Sequence, residues 1–129
     1  MADIVHKLPM HASIGDVWSA LEWAGLPSPA KDGIVQLRLD EARVAVLRLV
    51  DVEPCARAAW RCVDGPPDWI GTDVSIDLAP DGDDTIVRLR HRNWREANDG
   101  MGQSSTRWAW LLFGLKSRVE IPEAEDLWT

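Results

Sequence analysis

Three histidines, two cysteines and eight tryptophans carry the most specific chemistry in this 129-residue chain. His91 stands first among them. It closes an alternating segment, Thr85 to His91, in which Val87, Leu89 and His91 share one side of the pleat. A histidine facing an apolar interior could hydrogen-bond a ligand carbonyl or move a proton near neutral pH. The same position equally suits a histidine satisfied inside the core. His6 has the parity of Leu8 and Met10, whereas His11 falls in a strand-to-helix loop where water solvates it.

The tryptophans carry the second signal. Trp60, Trp94 and Trp108 offer flat apolar faces of the kind that line binding sites. Each ring buries roughly 150–250 Å², so a few of them can also fill the space a ligand needs. An open cavity and a Trp-filled one stand level on this reading. Trp110 and Phe113 lie round the last helix from Trp108, either packed under the first helix or forming an interface, so a homodimer stays open. Trp128 lies in the C-terminal tail.

Other chemistries lack their motifs. There is no C-x-x-C, no H-x-x-x-H and no calcium-loop spacing, so neither a metal site nor a cofactor is expected. G-x-S-x-G and a phosphate loop are missing as well. Ser104, Ser105 and Thr106 read as caps at a helix start. Cys55 and Cys62 fall at the two ends of one strand, roughly 23 Å apart at the usual rise, too far to bridge. Two unpaired thiols suit the cytoplasm, and the N-terminus has no signal-peptide pattern.

Bulk properties narrow the partners. The net charge is −7 and the sequence pI about 4.8, which repels nucleic acid unless a basic patch is segregated. The densest basic run, Arg88, Arg90, Arg92 and Arg95, is interrupted by His91 and Trp94 and reads as a solvated strand face. No nucleic-acid partner is therefore expected. No apolar stretch reaches the length of a membrane span. Residues 1–129 read as one domain, with a frayed tail over 122–129.

The elements that must position these groups follow from periodicity. A strand runs from Ile4 to Met10. Ser13, with Asp16 three residues on, caps a short helix whose stripe is Ile14, Val17, Trp18 and Leu21, and which Gly25 and Pro27 end. The connection PSPAKDG holds at most one further helical turn. Five strands come next: Ile34–Leu39, Arg43–Val52, Ala56–Val63, Thr72–Ala79 and Thr85–His91. The second of these is nearly all apolar, so both its faces are covered or its twist is strong. A long helix, Gly102 to Ile121, carries Trp108, Leu111, Leu112, Leu115 and Val119 at helical spacing before Pro122 stops it. The expected fold is α+β, a helix-grip in which a curved antiparallel sheet of about six strands surrounds the last helix.

Three stretches then resemble a known superfamily. They are Trp69-Ile70-Gly71-Thr72; Thr85-x-Val87-x-Leu89-x-His91-x-x-Trp94; and Trp108-x-x-x-Leu112-x-x-Leu115-Lys116-x-x-x-Glu120. In order and spacing they resemble SRPBCC (START-like) domains, nearest the activator of heat-shock protein 90 ATPase branch. The opening Ala12-Ser13-x-x-x-Val17-Trp18-x-Ala20-Leu21 is similar to that branch as well. Three places depart from the pattern. Asn93 stands where relatives often have Gly, a serine (Ser104 or Ser105) replaces a frequent Cys, and the second small helix is compressed.

The resemblance implies a cavity between the concave sheet and the last helix. Relatives carry hydrophobic ligands, act as aromatases or cyclases, or contact heat-shock protein 90. The leading expectation is a binding module for a small hydrophobic or amphipathic molecule. Val74, Ile76, Val87, Leu89, Leu112 and Leu115 would form its walls, Trp60, Trp94 and Trp108 its flat faces, and His91 its polar anchor. Two alternatives stay open. One is a cyclase- or hydrolase-like enzyme with His91 as acid or base, partnered by Arg48, His6 or Glu96. The other is a chaperone-cofactor-like protein-binding domain.

Overall fold

A computed structural model describes residues 2–21 and 33–121. Expectations for Gly25, Pro27, the PSPAKDG connection, Pro122, the tail and Trp128 fall outside the described residues. The strands are β1 (Ala2–Met10), β2 (Ile34–Arg38), β3 (Val44–Glu53), β4 (Arg57–Asp64), β5 (Asp73–Asp81) and β6 (Asp84–Trp94). The helices are α1 (Ile14–Ala20) and α2 (Asp99–Glu120). One antiparallel sheet holds the strands in the order β1-β6-β5-β4-β3-β2. This is the helix-grip arrangement, with α2 lying along the inner face.

Alternation explains the layering. β6 buries Thr85, Val87, Leu89 and His91 and turns Arg88, Arg90 and Arg92 outward. β4 buries Ala58, Trp60 and Cys62, and β5 buries Val74, Ile76 and Leu78. The sheet presents these apolar residues to Trp108, Leu112 and Leu115 of α2, which recur at helical spacing. Gly82, at φ 61°, lets Asp81 and Asp84 close a two-residue hairpin between β5 and β6. At the start of α1, Ser13 accepts a hydrogen bond from the Asp16 amide, as its capping pattern requires.

Three elements depart from the sequence reading. β3 is not covered on both faces: from Val50 to Glu53 it is exposed, and its register against β4 shifts twice, which strengthens its twist. α2 begins at Asp99, before its glycines, capped by Asn98, whose side-chain oxygen accepts from the Met101 amide at 3.0 Å. The serines and Thr106 therefore lie within the helix rather than capping it. β6 runs past His91 to Trp94 by means of an irregularity. Ala2 pairs with Trp94 while Ile4 pairs with His91, so β6 holds one extra residue against β1.

That extra residue decides where Trp94 points. Strict alternation after an inward His91 would send Trp94 outward. Instead Arg92 and Asn93 are both exposed and Trp94 is buried. Asn93 takes φ 72°, a left-handed conformation that Asn tolerates better than other side chains except Gly. Its amide donates to Asp3 Oδ1 at 3.1 Å, and its side chain donates to Asp73. The departure from Gly noted in the sequence thus keeps the conformation that Gly serves.

Candidate functional site

The site is built around a hydrogen-bond relay inside the grip. Trp108 Nε1 donates to His91 Nδ1 at 3.1 Å. A neutral His91 then carries its proton on Nε2, which donates to Thr72 Oγ1 at 2.8 Å. The Thr72 hydroxyl in turn donates to the Trp69 carbonyl. His91 is wholly buried, and burial pushes its ring pKa down from 6.5 to about 4, with nearby Asp73 opposing part of that. Both ring nitrogens are engaged and the ring is neutral. A histidine in this state orders its neighbours and has no open lone pair for a substrate.

The segment before β5 supplies the next residue. DGPPD breaks the chain after β4, and a tight turn follows. The Trp69 amide donates to the Pro66 carbonyl and the Thr72 amide to the Trp69 carbonyl, both at 2.9 Å. The turn carries the Trp69 indole inward, where Nε1 donates to Ser104 Oγ at 3.1 Å. Its ring meets His91 edge-on at 4.4 Å between centroids, Trp94 at 6.3 Å and Trp108 at 5.9 Å. Four rings from the end of one strand, one loop and one helix therefore form a single cluster.

Over this cluster opens a pocket of about 490 Å³. Trp69 and Trp94 line it from below. Gly100, Gln103, Ser104, Thr106, Arg107 and Trp110 of α2 form one side. Leu39 and Arg43 of the β2–β3 turn, with Pro66 and Asp68 of the β4–β5 loop, form the other. Asp40 shapes the first of these turns: its Oδ1 accepts from the Ala42 and Arg43 amides at 2.8 Å. Its Oδ2 accepts from Arg43 Nε at 2.7 Å, and these bonds hold the Asp40 carboxyl below its usual range.

Of the ten residues nominated from sequence, Trp94 lines this pocket. His91 and Trp108 lie directly beneath it, in the ring cluster. Trp60, Val74, Ile76, Val87, Leu89, Leu112 and Leu115 are packed in the core. Trp60 and Trp94 each hold a buried indole N–H with no partner among the described residues. Trp69 was visible in a motif but not as a site residue. Arg43 and Arg107 carried no local signal, because only the folded turn and helix bring them together.

The remaining candidates have other duties. His6 Nε2 contacts the Ser105 carbonyl at 3.0 Å and its hydroxyl at 3.1 Å, tying β1 to α2. His11, expected to be merely solvated, pairs with Asp84 at 3.0 Å. Cys55 is exposed and Cys62 buried, both free, and burial raises the Cys62 thiol pKa. Among the described residues no three His, Cys, Asp or Glu side chains gather as a metal site would need. Among them, too, no helix is long and apolar enough to cross a membrane. Trp110 and Phe113 do not pack away beneath α1; they are 64% and 56% exposed.

Sheet order, the enclosed helix and the ring cluster define a helix-grip protein. No family model matches the sequence, and no curated protein matches it. Solved structures do. The chain is similar to the solution structure of the Aha1 dimer from Colwellia psychrerythraea, at 26% identity over 94% of this chain and 98% of that one, with a TM-score of 0.81. It is also similar in fold to CalU16 from Micromonospora echinospora, at 18% identity over 89% of this chain and 72% of that one, TM-score 0.71. DynU16, a protein of the dynemicin biosynthetic locus, shares 15% identity over 93% of this chain and 48% of its own, TM-score 0.74. Aha1 is the activator of heat-shock protein 90 ATPase homolog, so one of these similar structures is of the branch that the motifs resemble, and the other two share the fold.

Proposed function

We propose that this chain is a binding module for a small amphipathic molecule, held between the first half of α2 and the β2–β3 and β4–β5 connections, at the end of the sheet. The supporting observation is the 490 Å³ pocket over Trp69 and Trp94. Small-molecule sites commonly span roughly 300–1,000 Å³, with apolar and aromatic walls and a few placed polar groups. Trp94 is the nominated residue that contacts the ligand. His91, Trp108 and Thr72 hold the rings beneath it, and the core residues Val74, Ile76, Val87, Leu89, Leu112 and Leu115 keep the grip rigid. A cytoplasmic setting fits the two free thiols. The test is a fragment screen followed by the indole N–H signals of Trp69 and Trp94 in ¹H–¹⁵N NMR. Binding shifts these two signals ahead of that of Trp60. A screen in which no aromatic or aliphatic fragment moves them removes the proposal.

A second reading concerns self-association. The exposed pair Trp110 and Phe113 lies on one stretch of α2, and the similar Colwellia protein is described as a dimer. We read this surface as a homodimer contact. Sedimentation equilibrium of the native chain and of Phe113→Ser decides it. A dimer that dissociates in the variant supports the contact, and a native monomer at high concentration refutes it.

A further inference from the structure

We propose that the pocket selects a flat aromatic ligand bearing an anionic oxygen head, such as an aromatic carboxylate. This rests on the ligand-binding reading above and adds the chemical class. The charged side chains around the pocket are Arg43, Arg107 and Asp68. Two guanidinium groups line the pocket against one lining carboxylate, while Asp40, outside the lining, engages Arg43 through Nε only.

The two cations converge on one turn. Arg107 Nη1 reaches the Arg38 carbonyl at 3.5 Å, the long limit of a hydrogen bond, which places its guanidinium beside the β2–β3 turn. Arg43 leaves the same turn, with its carbonyl accepting from the Leu39 amide at 2.9 Å. Arg43 gives its Nε to Asp40, which leaves the two terminal nitrogens of its fork without a partner among the described residues. Two guanidinium forks on one rim fit a planar oxyanion, which accepts paired N–H bonds from each.

The neutral polar group agrees. Ser104 Oγ accepts from Trp69 Nε1 and keeps its O–H, a donor suited to an oxygen acceptor, beside its second lone pair. Trp110 provides an exposed indole face for the ligand body, over a floor to which the buried Trp69 and Trp94 contribute. Asp68 stands at the α2 start, where its Oδ2 lies 3.0 Å from the place a side chain on Gly100 would occupy. It disfavours a second negative charge at that end, which orients the head toward the arginines.

Three probes with one ring system test the idea: 2-naphthoate, 2-naphthamide and 2-naphthylmethylammonium, titrated into the native chain and followed by indole N–H shifts. The carboxylate binds roughly tenfold tighter than the amide, and the ammonium weakest. Arg43→Gln and Arg107→Gln each erase most of that preference, seen as a larger loss of affinity for the carboxylate than for the amide. Equal affinity for carboxylate and amide, or a preference that survives both substitutions together, overturns the inference and leaves the ligand-binding reading intact. If none of the three shifts any indole signal, both are overturned.

Discussion

Trp108 Nε1 and His91 Nδ1 meet at 3.1 Å, and this one contact decides what the buried histidine does. The indole can only donate, so it fixes the imidazole proton on the far nitrogen. That proton is then committed to Thr72 and, through it, to the turn that delivers Trp69. The residue with the best catalytic credentials in the sequence is thereby a tie between helix, sheet and loop.

A pH dependence follows. The unfolded histidine titrates near 6.5 and the folded one near 4, so the unfolded chain binds an extra proton between those values. The stability this neutral ring contributes is complete above the unfolded value and is lost as the pH falls toward the folded one. A shift of this size corresponds to about 3 kcal/mol at most. Urea denaturation from about pH 7.5 down to about pH 4.5 reads the slope directly, and His91→Gln flattens it.

The irregularity at Asn93 is open to substitution. Valine, with its branched side chain, is strained at φ 72° and loses the bond to Asp73. Asn93→Val costs about 1–3 kcal/mol by chemical denaturation. Asn93→Gly, free of the strain but lacking the same bond, stays within about 1 kcal/mol of the native chain.

Ser104 is the acceptor for a buried indole. Ser104→Ala leaves Trp69 Nε1 without it while changing the volume little. The expected loss is about 1–3 kcal/mol, with a shifted Trp69 N–H resonance as the local signature. A stability equal to the native chain's would show that water replaces the hydroxyl.

Gly65 holds the β4–β5 loop against β3. A side chain there would meet Ala45 Cα at 3.0 Å and the Val44 carbonyl at 3.1 Å, at φ 133°. Backbone atoms cannot step aside as a flexible side chain does. Gly65→Ala is therefore destabilising by about 2 kcal/mol or more, and it weakens probe binding as well, because Arg43 precedes that part of β3.

Alternation and helical spacing made much of this architecture readable before any coordinates. Val87, Leu89 and His91 share a face because a regular strand leaves no choice, and Trp108, Leu112 and Leu115 line up for the same reason on a helix. The pocket was hidden because loops and a helix start build it. Gly100 and Gly102 mask the first turn of α2, since glycine is a poor helix former, and in sequence that makes the serines read as caps. Trp94 faces inward because of one extra residue, which no period of two can anticipate. Arg43 and Arg107 are 64 positions apart in the numbering, and only a hairpin turn and an adjoining helix bring them to one rim.

The pairing of β1 with β6 has a consequence for biosynthesis. Met10 lies opposite Thr85, so β1 is synthesised well before β6, the neighbour it pairs with. β2 through β6 can zip together as successive hairpins, with β1 arriving as the closing strand. During that delay the open side of β6 is an invitation to another chain's backbone. Once β1 docks, it becomes the outermost strand. Pro9, which has no N–H to offer, and Lys7, which carries a charge, then sit on the new border and make it a poor template for aggregation.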